Sequence, residues 1–338
     1  MTPSRHGGRA VLVEAPARLH FGMLDLRGDL GRRFGGVGAA VPEPSVLLEA
    51  EPADGIEAKG PDAARAADYA CRFLAHHRLD VGARLRIHRA IPPHAGLGSG
   101  TQLALAVGRA LAELYDLPTD VTALATAVGR GRRSGVGTWL FAHGGFVLEG
   151  GRRSTGADGP APLLARLPMP AGWHCVIAVP PGRPGLSGAA ENQAFDRLPQ
   201  PPAAEVERVA HLVLMQLLPA LAEADLPGFG TALSEIQRVT GGWFAPAQGG
   251  AFAGGAPRRV IELLREAGAL GVGQSSWGPA VYGLVEGEEA VRALADVVRA
   301  EAGGLVVATG FSNAGARVGR PTVEPRAGRG GGGAWKSD

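Results

Sequence analysis

Ten residues, Pro92-Pro93-His94-Ala95-Gly96-Leu97-Gly98-Ser99-Gly100-Thr101, place the strongest constraint on how this chain can fold. A strand-like run, Arg84 to Ile91, leads into them, and a run with helical apolar spacing, Gln102 to Tyr115, leads out. The segment therefore turns a strand into a helix. Glycines at 96, 98 and 100 let the backbone bend tightly and bring its N–H groups close to a bound group. The first N–H groups of a helix lack partners within it, and the helix dipole adds positive potential there, so such a turn favours an anion, usually phosphate. Ser99 and Thr101 can add hydroxyl donors or cap the helix. The same residues also suit a glycine turn with no ligand. Neither common phosphate-loop spacing is present: no Gly-Lys-Ser/Thr follows, and G-x-G-x-x-G is not matched.

At 338 residues the chain has room for two domains with substantial cores. A net charge of +2 makes no bulk electrostatic case for nucleic acid or an acidic membrane. Cys71 and Cys175 do not suggest a disulfide framework or a zinc site, and they fit a reducing cytosol. No stretch is long and apolar enough to span a membrane, and no apolar core follows the basic N-terminal residues. The expected location is the cytoplasm. The 53 glycines fall mostly in discrete loops, which suggests a loop-rich active site. Residues 326–338 are glycine-rich and poor in apolar side chains, and disorder is expected there.

Ala10 to Ala15 reads as a first strand. Arg18, His20, Asp25, Arg32 and Arg33 follow, interleaved with glycines and apolar residues. A plain hairpin would keep its charges on one face. The mixture suggests a substrate site, with arginines for phosphate or carboxylate and Asp25 or His20 handling a proton or a metal-bound water. Helices are expected over Asp62 to Leu79 and Thr119 to Val128, and Leu103, Val107, Ala110, Leu111 and Leu114 form the buried stripe of the central helix. After a Pro/Gly-rich connector, strands over His174 to Val179, Val281 to Val285 and Leu305 to Thr309 alternate with helices over Val206 to Leu221, Phe229 to Val239, Arg258 to Ala267 and Glu288 to Glu301. This order is consistent with a ferredoxin-like second domain. Trp243 to Gly250 reads equally as an aromatic wall or a core turn, and Arg183 and Ser187 are candidate loop contacts.

Pro-x-x-x-Gly-Leu-Gly-Ser followed by two small residues resembles the central phosphate loop of the GHMP kinase superfamily. Many of its kinases carry Ser-Gly-x-Asp, whose Asp is the usual candidate base, before a strand ending in Gly-Gly. Here Ser134-Gly135-Val136 is followed by Gly137, and Gly144-Gly145 closes the pattern in register. A glycine accepts no proton, so the phosphate cradle is kept without the kinase base. Arg18-Leu19-His20-Phe21-Gly22-Met23-Leu24-Asp25, Gly31-Arg32-Arg33-Phe34-Gly35-Gly36-Val37-Gly38, the Gly129 to Phe146 stretch and Gln274-Ser275-Ser276-Trp277-Gly278-Pro279 together resemble the β-ribofuranosylaminobenzene 5′-phosphate synthase family, over roughly Val11 to Val318.

The resemblance implies an α+β, two-domain GHMP-kinase-like fold: a ribosomal-S5-like domain over 1–165, a ferredoxin-like domain over 166–325 and a tail over 326–338. It implies an enzyme of tetrahydromethanopterin biosynthesis that joins 5-phosphoribosyl-1-pyrophosphate to 4-aminobenzoate, or to the hydroxy analogue, with loss of carbon dioxide and pyrophosphate. Gly96, Leu97, Gly98, Ser99, Gly100 and Thr101 would hold phosphate, together with Mg²⁺. Arg18, Arg33, Arg130, Arg133, Ser134, Gln274 and Ser275 would bind substrate. Asp25, His20 and Arg32 would be catalytic, with Asp25 stabilising the cationic ribose carbon. A homodimer is the family expectation. Two alternatives stay open. One is an ATP-dependent small-molecule kinase with Asp25 as a relocated base. The other is a ligand-binding protein without catalysis, which the number of charged residues argues against.

Overall fold

The computed structural model describes residues 10–154, 159–186 and 188–320. The basic N-terminal residues (1–9), the glycine-rich tail (326–338) and Ser187 lie outside them. Val11, Val13, Ala15, Ala17, Leu19 and Phe21 alternate inward along β1 (Val11–Asp25), and all are buried. β1 thus continues far beyond Ala15, and the charged motif is itself strand. It pairs antiparallel with β2 (Arg32–Ala53), with register shifts at Pro16/Ala17 and His20/Gly22. β3 (Ile56–Lys59), α1 (Ala63–His77) and β4 (Gly82–Arg89) follow. β4 delivers the chain to the glycine loop and α2 (Ser99–Leu114), which is buried on nearly every side. Then come α3 (Val121–Ala127), α4 (Val136–His143), β5 (Phe146–Glu149), β6 (Arg152–Arg153) and β7 (Leu163–Leu167).

β8 (Trp173–Val179) opens the second sheet. It is followed by α5 (Gly188–Arg197), then α6 (Ala203–Leu212) and α7 (Leu218–Ala222) joined through a π-turn, then α8 (Leu226–Gln248) and α9 (Ala256–Glu266). α8 runs through Trp243 to Gln248, where a turn or wall was one reading. Pro246 sits in its last turn and forfeits a single N–H there, and Gly249 closes the helix in a left-handed conformation. β9 (Leu270–Gln274), β10 (Val281–Glu286), α10 (Glu288–Ala302), β11 (Leu305–Gly310) and β12 (Arg317–Gly319) complete the order.

The second sheet runs β11-β8-β10-β9, all antiparallel, the order of a βαββαβ ferredoxin-like unit. β8 is apolar apart from His174 near its start, because both of its faces are covered. Val176 and Ala178 pack with Val260, Ile261, Leu264, Leu294 and Val298 of α9 and α10. Trp173, Cys175 and Ile177 point the other way, into the core shared with α8 and the first sheet. Phe21 of β1 meets Phe146, Phe229 and Tyr282 there at 5.3–6.3 Å between ring centroids. The first sheet runs β12-β1-β2-β4-β3, with β5 and β6 also on β2. Its outermost strand on β1 is β12, so the chain returns to this sheet after building the second.

Candidate active site

Strand alternation puts Arg18, His20 and Gly22 on one face of β1, and this face lines a cavity of about 590 Å³ between the two sheets. α2 reaches the cavity through Thr101, the segment before α4 through Arg130, Arg132, Arg133 and Ser134, and α5 through Glu191 and Phe195. α8 contributes Gln237, Thr240 and Phe244, and Gln274 and Trp277 come from the end of β9 and the turn that follows. This size suits a small-molecule site.

The glycine loop is fixed from both domains. Gly96 has φ +82°, and a Cβ there would lie 2.2 Å from the Ser275 carbonyl, so only glycine fits. Ser275 Oγ donates to Gly96 O at 2.7 Å, His20 N donates to Ser275 Oγ at 2.9 Å, and Ala280 N donates to Ala95 O at 2.9 Å. Arg18 donates to Gly96 O as well. The helix cap is Gly98, with no side-chain capping bond, so Ser99 is the first helical residue and not the cap. Thr101 N and Gln102 N make the first helical hydrogen bonds, both to Gly98 O, which leaves the Ser99 and Gly100 amides ahead of the ladder. A Cβ on Gly100 would meet the guanidinium groups of Arg65 and Arg130 at 2.7 and 3.1 Å, which places two cations at this helix N-terminus.

The cavity has a cationic half and an aromatic half. Burial draws Arg18 down to about 10, with Glu191 opposing the shift, so Arg18 stays charged at neutral pH. Burial, aided by Arg18, pushes His20 down to about 3. Its ring is neutral at physiological pH, and an imidazolium acid is not on offer there. Arg130 donates to the Tyr69 hydroxyl and lies 5.0 Å from that ring. Arg133 Nη2 donates to Glu191 Oε2 at 2.8 Å, and its guanidinium sits 5.5 Å from the Phe195 ring, while Nη1 is buried with no partner. The opposite wall is a triangle of edge-to-face rings: Phe195–Trp277 at 5.4 Å, Phe244–Trp277 at 4.8 Å and Phe195–Phe244 at 5.8 Å.

Of the residues singled out in the sequence, Arg18, His20, Thr101, Arg130, Arg133, Ser134 and Gln274 meet in this cavity, and Ser275 lies buried beneath it. Gln274 is fully engaged, with its amide bonded to Ala253 N, Gln248 Oε1 and Ser276 O. Asp25, Arg32 and Arg33 are outside the lining, as are Gly96, Leu97, Gly98, Ser99 and Gly100 of the glycine loop, which reaches it through Thr101. Asp25 Oδ1 accepts from the Arg27 and Gly28 amides, Arg32 Nη1 donates to Gly151 O at 2.9 Å, and Arg33 Nε donates to Leu26 O at 3.0 Å. These bonds shape the β1–β2 hairpin end, whose Phe34 packs on Phe195 at 5.6 Å. Glu191, Phe195 and Arg152 lie in the lining without having stood among the expected site residues. Glu191 and Phe195 are four apart on α5, the spacing that shares a helix face, and this is the one signal for them in the sequence.

Gly137 lines the cavity at the first turn of α4, where a Cβ would come 3.2 Å from Thr101 Cγ2. Behind it, Glu149 accepts from the Gly135 and Gly151 amides at 3.1 and 3.0 Å and holds the arginine segment to β5. Burial raises Glu149 to about 7.

The two domains that enclose this cavity are those of the GHMP kinase fold. Residues 63–145 match the GHMP kinases N terminal domain and 217–303 the GHMP kinases C terminal domain. The chain superposes on homoserine kinase from Cytophaga hutchinsonii with a TM-score of 0.66 at 18% identity, over 94% of this chain and 100% of that one. On L. major mevalonate kinase in complex with R-mevalonate the TM-score is 0.65 at 17% identity, over 92% of this chain and 98% of that one. These likenesses show the fold. In sequence the chain is 33% identical to beta-ribofuranosylphenol 5′-phosphate synthase of Methanothermobacter thermautotrophicus, over 90% of this chain and 98% of the relative. It is 35% identical to the synthase of that name from Archaeoglobus fulgidus, over 81% and 87%. The chain belongs to the β-ribofuranosylphenol 5′-phosphate synthase family.

Proposed function

We propose that this enzyme joins 5-phosphoribosyl-1-pyrophosphate to 4-hydroxybenzoate or 4-aminobenzoate, releasing carbon dioxide and pyrophosphate, as a step of tetrahydromethanopterin biosynthesis. The observation that carries the reading is Arg133, which lies against the Phe195 ring and keeps a buried, unpartnered Nη1 donor inside the cavity. A phosphate oxygen satisfies such a donor, and a flat ring satisfies the wall beside it. Arg18, Arg130 and the Ser99 and Gly100 amides are suited to the pyrophosphate, where they oppose the negative charge that grows as it leaves. The Phe195, Phe244 and Trp277 triangle is suited to the aromatic acid. The names of the relatives carry the phenol product, and the aminobenzene product is its amino analogue. The two differ only in the substituent opposite the new bond.

Gly137 stands where a kinase would need its base, which speaks against ATP-dependent phosphorylation of a hydroxyl. Among the described residues, no group of three or more His, Cys, Asp or Glu side chains is placed to hold a metal. A cation that arrives on a diphosphate needs few protein ligands, because phosphate oxygens and water fill most of its shell. The Ser99 and Thr101 hydroxyls are the donors this chain offers to Mg²⁺ in that role. Held there, the cation would supply charge neutralisation for the leaving pyrophosphate.

The test is mass-spectrometric analysis of the purified chain with phosphoribosyl pyrophosphate, Mg²⁺ and each benzoate, beside an ATP control. A ribosyl-arene phosphate with release of carbon dioxide is the expected result. ATP-dependent phosphate transfer to a small-molecule panel, with no ribosyl-arene, would overturn the proposal.

A further inference from the structure

Ribosyl transfer from pyrophosphate to an arene demands that one carbon sit where the cationic and aromatic halves of the cavity meet, and a carboxylate stands at that seam. We infer that Glu191 is the catalytic carboxylate that stabilises the positive anomeric carbon of the ribosyl donor. The inference rests on the function proposed above and names the acid that function requires.

The electron accounting sets the requirement. The anomeric C1–O bond breaks, and its pair leaves on pyrophosphate. A π pair at the ring carbon bearing the carboxylate forms the new C1–C bond. The bond from that carbon to the carboxylate then breaks, returns its pair to the ring, and carbon dioxide departs. No proton enters or leaves the sum, so a glycine at position 137 costs the reaction nothing. The demanding moment is at C1, which is positive after one bond has weakened and before the other has formed. A fixed negative group beside an oxocarbenium-like carbon stabilises it selectively in the transition state.

C1 lies between the pyrophosphate and the arene, hence between the arginines and the rings. Glu191 has one oxygen on each side: Oε2 accepts from Arg133 Nη2 at 2.8 Å, and Oε1 accepts from Trp277 Nε1 at 3.2 Å. Among the described residues it is the one Asp or Glu that lines the cavity. Asp25 is spent on the Arg27 and Gly28 amides outside the lining, and the Glu149 oxygens are taken by Gly135 and Gly151. The two bonds to Glu191 aim its carboxylate without neutralising it fully. A donor phosphate that takes up Arg133 Nη1 competes with Glu191 for the same guanidinium, so binding of the donor unmasks the carboxylate charge as C1 arrives.

The experiment compares wild type, Glu191→Gln and Glu191→Asp in steady-state turnover of phosphoribosyl pyrophosphate with 4-hydroxybenzoate and with 4-aminobenzoate. Thermal melts confirm that each variant folds. Glu191→Gln keeps an oxygen and the shape but loses the charge. Its kcat is expected to fall about a hundredfold or more, with KM for the donor unchanged or lower because the cavity is more cationic. Glu191→Asp keeps the charge and is expected to recover to within about tenfold of wild type. A Glu191→Gln enzyme within about threefold of wild-type kcat, or one altered in KM alone, overturns the role. If Glu191→Gln fails to fold, an Asp variant a hundredfold slow overturns it too. A wild-type enzyme that makes no ribosyl-arene with either acid overturns the function itself, a separate failure visible in the control arm.

Discussion

The Ser275 hydroxyl donates to the carbonyl of Gly96 at 2.7 Å, joining the end of the second sheet to the anion loop before α2. The same oxygen accepts from His20 N, so one side chain ties together β1, the loop and the second domain. Ser275→Ala takes this acceptor from the His20 amide and leaves the Gly96 carbonyl with Arg18 as its donor. The expected cost is about 1–3 kcal/mol of stability, read in denaturant unfolding. KM for phosphoribosyl pyrophosphate should rise while KM for the benzoate holds. Equal shifts in both KM values would show that the bond serves the whole fold and not the loop.

Gly137→Asp restores the acid of the kinase pattern. Its Cβ is tight against Thr101 Cγ2, which must yield a few tenths of an ångström. The new carboxylate enters a cavity lined by Arg18, Arg130 and Arg133 and competes with the donor phosphates for them. We expect KM for the ribosyl donor to rise about tenfold or more, equivalent to about 1.4 kcal/mol, with no gain of ATP-dependent transfer. Appearance of kinase activity would mean that the cavity admits a nucleotide.

Phe244 packs edge-on to Trp277 at 4.8 Å and to Phe195 at 5.8 Å. Phe244→Leu removes about 0.5–1.5 kcal/mol of ring–ring interaction. KM for the aromatic acid should therefore rise severalfold, with KM for the donor constant. Competition assays with benzoates of varied width check the same wall by a second route.

Two buried groups give opposed pH slopes. Glu149 is raised to about 7 in the fold from an ordinary 4.5, so the native state holds the proton more tightly. Its contribution is full below about 4.5 and is lost as pH rises through 7. His20 is lowered to about 3 from 6.5, so the unfolded state binds the proton first, and stability is lost as pH falls from about 6.5 towards 3. Between 4.5 and 6.5 the two contributions oppose. In Glu149→Gln the His20 slope is unmasked, and the unfolding midpoint should fall steadily on acidification below 6.5. Parallel pH curves for wild type and variant would show that Glu149 carries no proton in this range.

The loop, the buried stripe of α2 and three of the four strands of the second sheet were legible because each rests on a strong local period or on glycines that the backbone requires; β9 was hidden because Gly271 and Gly273 break its apolar period. Arg18 and His20 were legible as charges set among glycines and apolar residues, although the strand that sends both to one face runs well past its expected end at Ala15. Asp25 was not. In Asp25-Leu26-Arg27-Gly28 the short carboxylate satisfies amides two and three residues on, a turn habit that competes with any role in a site. Glu191 and Phe195 escaped notice because α5 is short and polar and follows a Pro/Gly-rich loop, so nothing local marks which of its faces is covered. Their importance comes from Arg133 and Trp277, which are 58 and 86 residues from Glu191 in sequence.

Because β12 lies on β1, the second sheet is tied to the first by two separate spans, 168–172 and 311–316. A single span would leave their relative orientation to packing alone. Two spans, with Phe21, Phe146, Phe229 and Tyr282 packed between the sheets, hold the halves in one orientation. The walls of the cavity are thus in place before a substrate enters.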